Sequence, residues 1–384
     1  MNIRTVLLTA SILLCVACSS RTGHVVEHFE RDGTPIVRTT GAPRHAGPLF
    51  ELEEDLVLGL DEGEPEWQLF GQFVWFTAGP DERLYVATSP DYEIHIVSRT
   101  GELLGTFGRR GQGPGEYSFP GANWWINGQL WMDDRQLNRI VQFSPDGEYL
   151  GILDYAPHRE HFRTFEMITS DRFLGMTIEG APITTQRYCL LDAELDLIDD
   201  FVTLPGQSMI EVMNGVYYPK PFDANGDIRP YPDGRLLVVN PHTSELLVYS
   251  PQGDLLFGME REWEPAPITA EDRTRWRARY ENNPDPATQA WVNRVEFESH
   301  RYPFSRAFTD DSGRAWIVRG LPLYDDERQV SAYLVDVFDR DGIWLGTQEL
   351  KWLPSLITGD FMYINTRGNA EEGPRIIRYR LIPM

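Results

Sequence analysis

Three observations predict an all-β chain arranged as a ring of repeated four-stranded sheets. Short apolar strands recur from residue 73 onward, tight turns rich in Gly, Asp and Asn separate them at matching places, and only one segment, residues 262–306, breaks the pattern. Such sequences suit radial repetition, because each twisted sheet buries its faces on its neighbours and leaves only short edges.

Taken in order, the chain opens with a leader, residues 1–17. Met1 to Arg4 is a short basic start, Thr5 to Val16 is apolar, and Ala17-Cys18 follows. An apolar run of about a dozen residues falls short of the roughly 20 that span a bilayer as a helix, so the segment reads as an export signal. Cys15-Val16-Ala17-Cys18 resembles a bacterial lipobox, departing from it at Cys15, where that pattern has leucine. The resemblance implies diacylglyceryl transfer to Cys18. Acyl chains contribute about 0.8 kcal/mol per buried CH2, and two or more hold a protein at a membrane stably. Ser19 after the cysteine resembles the pattern of lipoproteins sent to an outer membrane, so the expected location is the cell envelope, at that membrane. Residues 18–48 are expected to be a tether with one short strand at Thr34 to Thr39, and residues 49–384 the folded domain.

Cys189 is the cysteine left once Cys15 is discarded and Cys18 acylated, so stability rests on a core rather than on disulfides. A formal charge of -23, from 35 basic and 58 acidic residues, excludes nucleic acid as an expected partner. Lys220 and Lys351 are the sole lysines, a matter of composition rather than function.

Six inner turns define six units: Gly79 to Arg83, Asn127-Gly128, Ser170-Asp171, Pro232-Asp233-Gly234, Asp311-Ser312-Gly313 and Gly359-Asp360. Outer turns follow at Thr100-Gly101, Asp146-Gly147, Gln252-Gly253 and Asp341-Gly342, with Asp192-Ala193-Glu194-Leu195 as a worn copy. Glycine supplies the positive φ that tight hairpins demand. The predicted fold is therefore a six-bladed β-propeller. The repeat, clearest at Arg139-Ile140-Val141-Gln142-Phe143-Ser144-Pro145-Asp146-Gly147-Glu148-Tyr149-Leu150, resembles the NHL-type and TolB-like repeats of six-bladed propellers over residues 52–381. The last unit is one strand short at the C terminus. Glu54 to Gly59 lines up with Glu102 to Gly105, and Glu53 to Leu58 is expected to supply that strand and close the ring.

Residues 262–306, between the fourth and fifth units, read as a helical insertion. Thr269-Ala270-Glu271-Asp272 has the form of a capping box, Pro286 suits a first helical position, and Trp276 and Tyr280 fall one turn apart. Arg273, Arg275, Arg277 and Arg279 make the first helix locally basic.

For chemistry the sequence offers little. Gly111-Gln112-Gly113-Pro114-Gly115 lacks both the Gly-Lys-Ser/Thr ending and the following helix of a phosphate loop, so it reads as a link between units. Arg109, Arg110, Gln112, Glu116 and Tyr117 on this link are the candidate ligand-binding residues. His158-Arg159-Glu160-His161 lacks the spacing of a zinc motif. No catalytic residue and no metal ligand is assigned. Pairs such as Asp133-Asp134, Asp199-Asp200, Asp310-Asp311 and Asp325-Asp326 are expected as turn or surface charges, while Ca2+ in the channel stays open as a cofactor, since some relatives by resemblance are metal-dependent hydrolases or lactonases. The expected function is a non-enzymatic lipoprotein, anchored to a membrane, whose connection face binds a protein, peptide or glycan. The alternative is a Ca2+-dependent hydrolase or lactonase.

Intact mass of the processed protein tests the anchor: residues 1–17 should be gone and Cys18 should carry acyl chains. An unmodified Cys18 would overturn it.

Overall fold

The computed structural model describes residues 23–59, 65–68, 70, 74–89, 92–158, 162, 164–180, 183–213, 215–324, 330–366 and 373–384. Their strands form six antiparallel meanders. The first sheet runs Val74–Ala78, Leu84–Thr88, Ile94–Val97, Leu103–Phe107. The second runs Pro120–Ile126, Gln129–Asp134, Arg139–Phe143, Tyr149–Asp154. The third is Thr164–Thr169, Arg172–Glu179, Ile183–Leu191, Leu197–Met213, extended by Val216–Pro219. Asp227–Pro230, Leu236–Asn240, Glu245–Tyr249 and Leu255–Arg261 build the fourth. The fifth consists of Phe304–Thr309, Ala315–Arg319, Val330–Phe338, Trp344–Leu350 and the short Leu323–Tyr324. Leu356–Thr358, Phe361–Thr366, Arg375–Pro383 and Phe50–Leu58 make the sixth. All the hairpin turns expected above join these strands in the expected places.

The sheets close into a propeller because their second strands are apolar on both faces. Leu84 and Val86 pack with the sixth sheet, whereas Tyr85 and Ala87, alternating with them, pack with the second. Leu236 and Val238 face the third sheet, and Leu237 and Val239 the fifth. A strand exposes alternate residues to opposite faces, so a continuous apolar run needs a core on each side. Six clusters meet that need, one between each successive pair of sheets, and the last returns to the first through Leu58, Tyr363 and Ile376 against Val74 and Val97.

The closing strand is Phe50–Leu58, antiparallel to Arg375–Pro383 with Leu58 opposite Ile376 and Phe50 opposite Pro383. This is the outer strand expected at residues 53–58. In five sheets the third and fourth strands shift register next to the turn that joins them, the third sheet shifting twice more farther along, and in the sixth the shift falls between Arg378 and Tyr379. The residue skipped on the outer strand is Leu104, Leu150, Ile198, Leu256 or Leu345 in five sheets, and Leu104, Leu150, Ile198 and Leu256 are exposed there. In the sixth it is Asp55, whose carboxylate accepts two hydrogen bonds from the buried Arg378, at 2.8 and 3.1 Å. A bulge re-aims one side chain, and here it aims an acid at the guanidinium.

The tether reading of residues 18–48 needs correction. Val25–Arg31 and Thr34–Thr40 form a hairpin whose second strand adds in parallel to Leu255–Arg261, making the fourth sheet six-stranded. The turn is Asp32-Gly33, both at positive φ (51 and 82°), the Asp-Gly signal for a two-residue hairpin. Ile36 and Val37 are buried in this position. Gly258 permits the close pairing: a Cβ there would lie 2.7 Å from the Ile36 side chain. Arg31 and Arg38 both bind Glu260. Residues 18–22 lie outside the described residues.

The insertion contains two helices, α1 (Ala270–Ala278) and α2 (Pro286–Arg294). Thr269 and Asp272 exchange both bonds of the capping box, and Asp285 caps the second helix ahead of Pro286. Trp276, Trp291, Val292 and Val295 enclose Val212 of the third sheet's long fourth strand. Trp291 Nε1 donates to Pro219 O at 3.1 Å. The helices thus reach back across the fourth sheet to cover the extension of the third, and Arg275 turns to Glu271 and Asp272 of its own helix.

Asp55→Ala should leave Arg378 buried without its partner and cost about 3 kcal/mol, a fall in melting temperature on the order of 5 °C. Asp55→Ala/Arg378→Met should recover part of that loss in calorimetry. An unchanged melting temperature for the single variant would show that the pair does not hold the closing strand.

Candidate functional site

Every inner strand runs from an inter-sheet connection to an inner turn, so the propeller has a connection end and a turn end. The glycine-rich link, residues 108–119, belongs to the connection end. Glu116 organises it: its carboxylate accepts from Gly113 N at 2.9 Å and from Arg109 Nε at 2.7 Å. The Gly113 N-H, followed by the Arg109 side chain, holds this carboxyl below the usual range. A Cβ on Gly111 would lie 2.0 Å from that carboxylate, which explains the glycine physically. Tyr117, proposed above to meet a ligand, is instead fully buried between the first and second sheets, and burial raises its pKa well above the ordinary value. Arg139 donates to Gln112 O and Glu116 O. Of the five candidates, Arg109, Arg110 and Gln112 have exposed side chains, and Arg110 lies over the Tyr92 ring, 5.2 Å from its centroid. Glu116 and Tyr117 serve the link and the core because a bend this tight needs an internal acceptor and an apolar anchor. The acidic link at residues 61–66 lies almost wholly outside the described residues.

The large recess is at the other end. Its volume is about 640 Å3, and all six inner strands contribute to it by their final residues and turns, among them Gly79, Asn127, Thr169, Asp233, Asp311 and Thr358. Trp124, Trp125, Met167 and Ile357 give it apolar walls. Trp125 stacks on Tyr85 with centroids 4.9 Å apart, and Trp124 Nε1 donates to Glu166 Oε1 at 2.6 Å. Burial raises the Glu166 carboxyl pKa, against the opposing effect of the Trp124 hydrogen bond and the Arg229 charge. Asn123 also lines the recess, and its buried Nδ2 has no acceptor. Among the described residues no arginine or lysine lines this space, whereas Glu166, Asp233 and Asp311 do. The recess therefore suits neutral or cationic groups that present an acceptor to Asn123.

The other chemical candidates have structural work. Cys189 is buried, its thiol donates to Asp200 at 3.2 Å, and burial with that carboxylate pushes its pKa up to about 11, so no thiolate nucleophile stands ready at neutral pH. Asp134 accepts from Ser118 N and Phe119 N, and Asp310 from Arg314 and Trp316. Asp133 accepts from Tyr155 at 2.6 Å. His95 is buried, with Nδ1 3.1 Å from Thr106 Oγ1. His158 ends a short 3-10 turn, while residues 159–161 and Asp325-Asp326 lie outside the described residues. Among the described residues no three His, Cys, Asp or Glu side chains converge as metal ligands. The recess escaped the sequence reading because no motif marks it: Asn123, Trp124 and Glu166 meet only when consecutive units stand side by side.

No protein-family model and no curated protein matches the chain. Among solved structures it is similar to a protein of Bacteroides fragilis, at 11% identity over 90% of this chain and 99% of that one, with a TM-score of 0.46. It is also similar to a DUF4221-family member from Bacteroides vulgatus, at 10% identity over 88% and 99%, with a TM-score of 0.46. A gluconolactonase from Xanthomonas campestris matches at 12% identity over 87% and 98%, with a TM-score of 0.35. These are likenesses of fold, and neither ligand nor chemistry passes from them to this chain.

Glu166→Gln gives a pH test. A carboxyl whose pKa is raised by folding contributes its stability below the unfolded value, and that contribution is lost as pH climbs through the folded value. The melting temperature of the variant relative to the parent should therefore become more positive between pH 4 and pH 7. A constant or opposite difference would refute the burial of this carboxyl.

Proposed function

We propose that this protein is an exported lipoprotein, acylated at Cys18 at the outer membrane, whose six-bladed propeller binds a peptide, protein segment or glycan without chemically altering it. The observation that carries the binding reading is the recess shared by all six sheets, with tryptophan walls and an unpaired amide donor at Asn123. Aromatic walls with a few placed polar groups are the usual make-up of a ligand pocket. The leader and Cys15 to Cys18 support the location. This reading moves the ligand from the connection end, where Arg109, Arg110 and Gln112 lie, to the turn end.

Tryptophan fluorescence of the full chain, titrated with arrayed peptides and oligosaccharides, should reveal saturable binding, and Thr169→Trp should abolish it by filling the recess rim. Mass spectrometry should recover the ligand unchanged with Ca2+ or with a chelator. Ca2+-dependent conversion of a ligand would replace this reading with the hydrolase or lactonase one, and binding untouched by Thr169→Trp would remove the recess from it.

A further inference from the structure

A second space, about 370 Å3, opens at the connection end between the fourth and fifth sheets, and its chemistry is opposite to that of the recess. Its floor is an ion triad. Asp336, fully buried, accepts from Arg261 Nη1 at 2.8 Å and from Arg319 through Nε at 2.9 Å and Nη2 at 2.8 Å. Thr347 donates to the same carboxylate at 2.6 Å. Two guanidiniums thus share one carboxylate, and one positive charge is left over on a chain of net charge -23. Arg261 Nη2 and Arg319 Nη1 have no hydrogen-bond partner among the described residues.

The cationic floor is rigid. The Arg261 guanidinium sits between two indoles, 4.5 Å from the Trp263 centroid and 4.1 Å from that of Trp344. A fork fixed in this way loses little freedom when it binds. Trp263 Nε1 is buried without an acceptor, a further unsatisfied donor in the wall. Leu321, Leu323, Leu334 and Pro303 provide the apolar remainder. Glu262 and Glu264 are at the rim and exposed to solvent, which screens them. The N-terminal hairpin completes the wall: Thr39 and Thr40 line it, and Thr39 Oγ1 accepts from Trp344 N at 3.2 Å.

We infer that this cleft binds an organic carboxylate carrying an apolar body, the carboxylate bridging Arg261 and Arg319 and the body lying on the leucines. Planar guanidinium forks match a carboxylate in both geometry and charge. An acyl chain and the C-terminal residue of a peptide share this chemistry. The inference is independent of the recess at the turn end.

Isothermal titration of the full chain with hexanoate and with N-acetyl-leucine tests it, with hexanamide and N-acetyl-leucinamide as neutral counterparts. At least one acid should bind saturably and its amide at least tenfold more weakly; preference for hexanoate indicates an acyl ligand, preference for N-acetyl-leucine a chain terminus. Arg319→Gln should weaken acid binding at least tenfold. Leu321→Glu, which replaces apolar surface under the ligand body with a charged side chain at a position away from the triad, should do the same with melting unchanged, and decides the matter should Arg319→Gln fail to fold. Binding of neither acid, equal binding of acid and amide, or full binding by Leu321→Glu would overturn the proposal.

Discussion

Arg378 and Asp55 meet across 323 residues of chain, and the closed ring depends on that meeting. Each of the six clusters between the sheets is built from two of them, so no sheet completes a core by itself. An open arc would leave Val74, Leu84 and Val97 uncovered on one flank and Phe361, Tyr363 and Ile376 on the other. Pairing the first strand of the ring with the last converts both exposed flanks into one more interface. The ion pair adds register to that closure, because the bulge at Asp55 fits opposite Arg378 and a slip of one residue would turn the acid outward.

Acidic residues recur as local fasteners. Asp134 ties the second sheet to the link before it, Asp310 holds a turn of the fifth, and Asp311 accepts from Thr358 and Gly359 N across to the sixth. Each of these carboxylates is matched by N-H or O-H donors, the condition for burying or half-burying a charge cheaply. The recess and the cleft differ in sign: the recess has surplus acceptors with one idle amide, the cleft has surplus guanidinium donors. A molecule with opposite charges at its two ends of the ring can present itself differently to different solutes.

The fold was legible because turn chemistry repeats: Gly101, Gly147, Gly253 and Gly342 all adopt positive φ at the outer turns. The closing strand was legible by counting strands, and the helices by their caps. The N-terminal hairpin was obscured by a polar composition rich in Gly, Thr and Arg, although Asp32-Gly33 announces it; only Ile36, Val37 and Thr39 are buried, since the hairpin augments an edge rather than filling a core. Exposed Leu104, Leu150, Ile198 and Leu256 also have a local reason, which hydrophobicity alone hides, in the bulge that skips each of them. Site residues were the least legible. A link such as residues 108–119 attracts attention by its glycines, whereas the residues that line the recess and the cleft are ordinary members of strands, brought together by ring geometry and by the pairing of residues 34–40 with 255–261.

Connectivity makes the molecule a circle with a single cut, since Met384 N donates to Leu49 O at 3.1 Å beside the closing ladder. The position of the cut leaves the set of interfaces unchanged and decides only the order in which they become available. Residues 50–58 leave the ribosome long before their partners, residues 375–383. The sixth sheet therefore cannot lock until residues 375–383 have emerged, however many sheets have already formed. The pairing that closes the ring is thus withheld until the other five sheets have been delivered.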